Sequence, residues 1–574
     1  MNLTKTFGSI CLALGIVAGA QAADVNVTSN ITTSETWSAS NVYILQDVIY
    51  VEPGATLTIE PGTVIRGNGA DASVVITVGA KIIANGTAQD PIIFTSVNDT
   101  TTGVAYPTGT GFRPAWEATC QEWGNLVILG DGIISATTDG QGSGNPDGND
   151  TSQMEGLSAA GSLPIYGGNN DNHDGGSIKY VQLRYGGFTL TTANELNGLS
   201  LGGVGRETDI AFIEIMNNKD DGIEIWGGTV GLKYVCIWNI GDDSFDLDQG
   251  YRGKAQFVLI VQGYCDPSGG QESGVGDRAL EMDGAESREA QPFCAPQLYN
   301  FTVIGNPGDL FPGSRQGTAW RDNMRAQIGN SIFAELGGDV IGGIGTYPAD
   351  SPFNDLLTRP VTTFSANELG ELAAAGVTGA DIYGLTSGTW IQFTDCIFYK
   401  KAAGDTSPTT YGQMAAGKNN IDEPASSPFA GGDPTRAAAV TVGGNDIVRV
   451  TSIDPRAANA AATSVGTAPN DGFFSPVPFI GAFSPSVNWA LGWTVADTYG
   501  FFSSPANPAN PSVTVDVTAL TSFPTTNGVI YTIECSTNGV NWEVVDSIVG
   551  DGSTMKVADL DGFDGAKLYR VIVQ

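Results

Sequence analysis

Positive charge and histidine are what this chain has least of. Its 574 residues hold 26 Lys and Arg against 61 Asp and Glu, for a net charge of −35, and a single histidine, His173. That acidic excess excludes nucleic acid as a partner, since phosphate backbones are bound by cations that displace their counterions, and it opposes docking on anionic lipid. It suits an extracellular protein that takes up divalent cations. Long apolar runs are scarce too: past residue 22 nothing approaches the ~20 consecutive apolar residues a spanning helix needs, so no transmembrane segment is expected. A core is not lacking, because 41% of the residues are hydrophobic, which excludes disorder by composition.

Residues 1–22 carry Lys5, an apolar run from Ile10 to Ala18 and the small-x-small triplet Ala20-Gln21-Ala22. This pattern reads as a secretory signal peptide and places the protein outside the cell or on a bacterial cell surface. Six cysteines follow it: Cys120, Cys236, Cys265, Cys294, Cys396 and Cys535. In an oxidising compartment Cys265 and Cys294 are the expected disulfide, because they bracket one Gly- and acid-rich stretch. Cys236 and Cys396, inside strand-like runs, are expected as free thiols. His173 sits among polar turn residues and is expected to be solvated rather than catalytic.

The stretch from Asp209 to Gly253 says the same thing twice. Ile213-Glu214-Ile215 recurs as Val235-Cys236-Ile237, and Asp220 through Ile225 recurs as Asp242 through Leu247, each 22 positions on. Two short alternating runs per period, with turn residues between them, suit a β-solenoid. Earlier, Glu60-Pro61-Gly62 and Asn85-Gly86-Thr87 mark one turn position a coil apart, and β-branched residues fill the runs between. These coils resemble those of secreted bacterial right-handed parallel β-helices, the pectin-lyase-like superfamily. The predicted fold is therefore all-β: a right-handed parallel β-helix over 23–502 with long side loops at 98–122, 137–176, 265–294 and 337–388. In the last of these, Ser365 and Glu368 form a capping-box pattern and Gly376 a stop, which predicts one helix. The aromatic segment 473–502 is expected to cap the open end of the solenoid. A Pro-rich linker, 503–512, precedes a small antiparallel β-domain, 513–574, that resembles β-sandwich modules of fibronectin type III style, a likeness that implies tethering, spacing or glycan binding.

Alternation decides which side chains of the repeat point inward: Ile223, Ile225, Phe245 and Leu247 do, while Glu224 and Asp246 do not. Asp220/Asp242, Asp221/Asp243 and Glu224/Asp246 are then stacked pairs. Strands ~4.8 Å apart put like charges at a separation where they repel by roughly 3.5 kcal/mol at an effective dielectric of 20 and about 0.9 kcal/mol in bulk water. Three remedies are open. Ca²⁺ held by Asp220, Asp221, Glu224, Asp242, Asp243, Asp246 and Asp248 would neutralise the ladder, since it takes oxygen ligands. Protonation of one member of a pair would create an acid/base couple suited to glycoside hydrolysis. Solvated corner carboxylates bonded to backbone amides are the third.

Lys219-Asp220-Asp221-Gly222 and Gly241-Asp242-Asp243-Ser244 stand where polygalacturonase-type hydrolases carry their catalytic aspartates, a resemblance that implies roles for Asp221, Asp242 and Asp243. Lys219 and Asp220 depart from the Asn-Thr of that family's motif, and its Gly-His-Gly and Arg-Ile-Lys motifs are missing. A resemblance to pectate lyases, in which aspartate-bound Ca²⁺ works with a basic Arg or Lys, implies Arg252 as base, with Lys254 and Arg278 also near in sequence. Trp226, Trp238, Tyr251 and Tyr264 are candidates to stack on sugar rings. The expected function is a non-catalytic surface or secreted protein that binds extracellular polysaccharide or a cell-surface component, with Ca²⁺ on the ladder. The alternative is a polysaccharide lyase or inverting glycoside hydrolase at the same face.

Overall fold

The structure, a computed structural model, describes residues 23–573 apart from 100–118, 137–145, 147, 159–160, 192–193, 267, 270–273, 308–315, 415, 443–444, 508–519, 527–528, 537–542, 550–551 and 559–567. Residues 1–22, expected as a signal peptide, the later part of the Pro-rich linker and the Asn538-Gly539 turn lie outside the described residues. The chain forms two compact units, 1–507 and 508–574.

The first unit is a right-handed parallel β-helix. Seventeen strands share one sheet and nine form a second, with parallel pairing between successive coils. The 22-residue repeat is the register itself: Ile213 faces Val235, and Ile223 faces Phe245. Ile210, Ile213, Ile215, Ile223 and Ile225 all enter one continuous core with their counterparts in neighbouring coils. Four successive long strands bend at an aromatic residue in the left-handed region, Tyr180 (φ 50°), Phe212 (57°), Tyr234 (60°) and Phe257 (61°), and the next bends at Asn300 (58°). That conformation costs on the order of 1–3 kcal/mol per residue. Stacking of the four rings at centroid distances of 4.3, 4.4 and 4.9 Å opposes the cost, at about 0.5–1.5 kcal/mol per contact. The bend leaves Ala211 and Phe212 both outward, so the strand halves on either side keep their apolar residues inside.

The segment 473–502 does not close an end of the solenoid. It runs along the outer face of the larger sheet, with Ser475 bonded to Gln256, Gly481 and Phe479 accepting from Asn300, and Ala482 donating to Thr302. Glu214, outward on the strand Asp209–Met216, accepts the amides of Val495 (2.6 Å) and Ala496 (2.9 Å) at the start of the short helix Val495–Thr498. The reason is the outward side of that sheet: Met216, Cys236, Trp238, Leu259 and Val261 form a second apolar cluster that needs a cover.

The stretch 265–294 is also not a simple excursion. Leu280–Asp283 pairs with the strands on both sides and is a full rung of the smaller sheet. The predicted helix is present as Ala366–Ala375, with both capping-box bonds between Ser365 and Glu368 and Gly376 left-handed at φ 74°. In the second unit, Ile530–Ser536 lies antiparallel between Glu543–Val549 and Leu568–Val573, and Leu520–Pro524 pairs with Thr554–Ala558.

Candidate functional site: a stacked carboxylate ladder

Outward positions of the smaller sheet bring carboxylates into columns. Glu224 faces Asp246, Asp246 faces Glu281, and Asp283 faces Arg321 on the next rung. The turn before each rung adds Asp220-Asp221 and Asp242-Asp243. Gly222 is required there, since a Cβ on it would lie 2.5 Å from the Ser244 carbonyl.

The aspartates of the turns are divided by their partners. Asp221 Oδ1 accepts the amide of Asp243 at 2.9 Å, and Asp243 Oδ1 accepts the amide of Arg278, so each caps the backbone one coil on. Asn197 donates to Glu224 at 2.7 Å and accepts the Asp221 amide at 3.2 Å, which fixes the first rung. Two arginines answer part of the negative charge. Arg278 lies 3.5 Å from Asp243 and 3.0 Å from Glu281, and Arg321 pairs with Glu281 at 2.7 Å and grips Asp283 through two bonds of 2.7 Å.

Burial, then the neighbouring carboxylates, push Asp220, Asp221, Glu224, Asp243, Asp246 and Asp248 well above the usual carboxylate range. Burial raises Asp283 to about 6 and Glu155, in a side loop beside Glu195, to about 7. The surrounding carboxylates hold Arg278 and Arg321 more firmly protonated than a free guanidinium, although burial opposes this. Neither arginine is a base.

Among the described residues three groups present carboxylate oxygens within 4.8 Å of one another: Asp220, Asp221 and Asp242; Asp221, Glu224 and Asp246; and Asp242, Asp243 and Asp277. All donors are hard anionic oxygens, the set that suits a hard divalent cation. The second group carries an additional sign. Asp246 is 9% exposed, and its Oδ1 is buried with no hydrogen-bond partner. A desolvated carboxylate oxygen with nothing to bond is costly unless protonated or ligated.

Asp220, Asp221, Glu224, Asp242, Asp243, Asp246 and Asp248 thus gather on one face as the repeat implied. Arg252 does not join them. Its side chain is fully buried against Asp171, with two bonds of 2.6 and 2.9 Å, and it also donates to the Ile382 carbonyl. Lys254 pairs with Asp471 at 2.6 Å. Both line a separate cavity of about 1030 Å³, with Arg206, Lys233, Gln297 and Phe473, that contains none of the ladder carboxylates. The strand Lys254–Val261 starts on the other sheet, so closeness in sequence to Asp248 is undone by the corner at Gly250.

Three further expectations change. Trp226, Trp238 and Tyr251 are buried at 4%, 0% and 0% exposure, and Tyr264 stacks under Arg449 at 4.1 Å, so none is a sugar platform. His173 is buried rather than solvated. Cys265 and Cys294 are both free: Cys294 lies in the core and accepts the Tyr251 amide at 3.0 Å, while Cys265 meets Cys120. Cys236 and Cys396 are free and buried as expected. Sequence reading missed Glu281, Asp283, Asp277 and Arg321 as ladder members. The alternation Leu280-Glu281-Met282-Asp283 was the available signal, but an insertion displaces it from the 22-residue step.

Residues 29–336 match a sequence profile described as a pectate-lyase like beta helix domain. No curated protein and no solved structure matches the chain.

Proposed function

The chain belongs to the pectate-lyase like beta helix domain family, spanned by its residues 29–336, and from that premise we propose a secreted or cell-surface polysaccharide-binding protein, non-catalytic, whose acidic ladder holds Ca²⁺. The orphaned Oδ1 of Asp246, beside Glu224 and Asp221, carries the reading. Ca²⁺ would supply positive charge between coils that otherwise stack like charges; Asp221, Glu224 and Asp246 are the residues to hold it, and Asn197 orients two of them. The non-catalytic reading is supported by what surrounds the carboxylates: Asp221 and Asp243 are nearly fully buried and bonded to backbone amides, and the adjacent arginines are locked in ion pairs.

Glycan contact is assigned to the cavity between Lys233, Lys254, Gln297 and Phe473, which joins an aromatic face to polar groups. The second unit, in this reading, is a tether or spacer of fibronectin type III style. A hydrolase or lyase at the ladder is the second reading, favoured by the raised carboxylates at half-buried Asp220 and its neighbours.

The test is incubation of the full chain with uronate-containing and neutral polysaccharides, with Ca²⁺ or chelator, alongside melting curves. Binding without chain cleavage, and a melting temperature lowered by chelator, are expected. Cleavage lost in Asp242→Asn would overturn the non-catalytic reading, and an unchanged melting temperature would overturn the ion.

A further inference from the structure

The corner where Lys219 opens the ladder also gathers two cysteines from distant parts of the chain. Cys120 precedes Gln121 and Glu122, whose amides donate to the carbonyls of Gly186 (2.8 Å) and Tyr185 (3.0 Å). The Lys219 amide donates to the same Gly186 carbonyl at 3.0 Å, and Lys219 Nζ lies 3.7 Å from Asp266, the neighbour of Cys265. Cys265 in turn donates its amide to Gly274 at 2.8 Å, Gly274 donates to Gly241 at 2.9 Å, and Gly241 to Asn218 at 2.8 Å. These backbone bonds hold both residues against one corner of successive coils, with the two thiols in hydrogen-bonding reach of each other.

We propose that Cys120 and Cys265 form a disulfide, a covalent staple between the loop entering the coil at 123 and the segment leaving the larger sheet after Val261. The other cysteines with described side chains are engaged elsewhere: Cys294 with the Tyr251 amide, Cys236 with the Trp238 indole at 3.0 Å, and Cys396 against strand carbonyls. Cys120 is half-buried and Cys265 fully buried, so Cys120 is the one an oxidant reaches. With a small-molecule disulfide as oxidant, the Cys120 thiolate attacks one sulfur and expels one thiol. Cys265, deprotonated, then attacks the Cys120 sulfur of the mixed disulfide and expels the second thiol. The protein loses two hydrogens, and the oxidant is reduced to two thiols.

The staple has a structural consequence. Beyond Cys265 the chain returns with the amides of Gly276 and Asp277 on the carbonyls of Gly241 (2.9 Å) and Asp242 (3.0 Å), which sets Asp277 beside Asp242 and Asp243. Fixing Cys265 fixes the root of that return.

The experiment is a non-reducing peptide map of the full chain after treatment with glutathione disulfide, with alkylation of remaining thiols. A cross-linked pair of peptides containing Cys120 and Cys265, lighter by two hydrogens and separated by reductant, is expected. Cys120→Ser and Cys265→Ser lose it, Cys294→Ser keeps it, and reduction lowers the melting temperature of the unsubstituted chain but not of Cys120→Ser. Cys265 joined to any other cysteine, or both thiols still alkylated after oxidation, overturns the proposal. The map of the unsubstituted chain decides even if a serine variant fails to fold.

Discussion

Asp246 stands directly over Glu224 in the parallel register of two successive coils, and its Oδ1 is buried without a hydrogen-bond partner. Removing one of these two charges tests what neutralises the pair. Glu224→Gln and Asp246→Asn are expected to abolish the rise in melting temperature on adding Ca²⁺. In the unsubstituted chain that rise corresponds to about 2.7 kcal/mol when the ion is at a hundredfold excess over its Kd. Calorimetric titration checks the same point, since both variants lose the binding heat.

Glu214 predicts loss of stability toward alkaline pH. Burial against the segment 473–502 raises it to about 7, although the amides of Val495 and Ala496 pull the other way. The folded state therefore holds the proton more tightly than the unfolded one. The stabilisation is complete below the ordinary glutamate range and is lost as pH rises through about 7, on the order of 3 kcal/mol in all. Glu214→Gln should flatten that limb of a stability–pH profile measured by denaturant unfolding, while chelator leaves it unchanged.

His173 predicts the opposite slope. Burial lowers it below the ordinary histidine value, and neither ring nitrogen has a hydrogen-bond partner; Asp131 and Asp174 oppose the shift and Lys81 adds to it. The unfolded state takes up the proton first, so stability is present above about 6.5 and falls as pH drops below it. His173→Leu should remove this acid loss without loss of stability at pH 8.

Arg252 is expected to matter for folding and not for chemistry at the ladder. Truncation to Ala leaves Asp171, 12% exposed and still met by the Ile133 amide and Arg206, without its bidentate partner and should cost about 1.5–3 kcal/mol. In Arg252→Met combined with Asp171→Asn, part of that loss should return, because no charge is left unpaired. The Ca²⁺-dependent melting shift should survive in both. Its loss would place Arg252 in the ladder after all.

The aromatic staircase can be probed at its middle step. Phe212→Ala removes stacking on both Tyr180 and Tyr234 and leaves a non-glycine residue in the left-handed region. A loss of about 1–3 kcal/mol is expected, from two ring stacks worth about 0.5–1.5 kcal/mol each. Phe212→Tyr, which keeps the ring, should cost little.

The sequence by itself determined the coil. A period of 22 with apolar residues at alternating positions leaves one register, since a slip by one residue would turn Ile223 and Ile225 outward and Glu224 inward. The same alternation determined the stacking of Glu224 on Asp246, and local chemistry determined the helix begun by Ser365. Only the tertiary structure decided what surrounds the ladder. Arg252, a few residues away in sequence, is taken around a corner to Asp171, whereas Arg321, far along the chain, is returned to Asp283 by the coil. Cysteine placement followed the same rule: Cys294 turned into the core while Cys265 met Cys120 at a corner. Closeness along a solenoid is set by position within the coil, and insertions of unequal length hide that position from any reading of spacing alone.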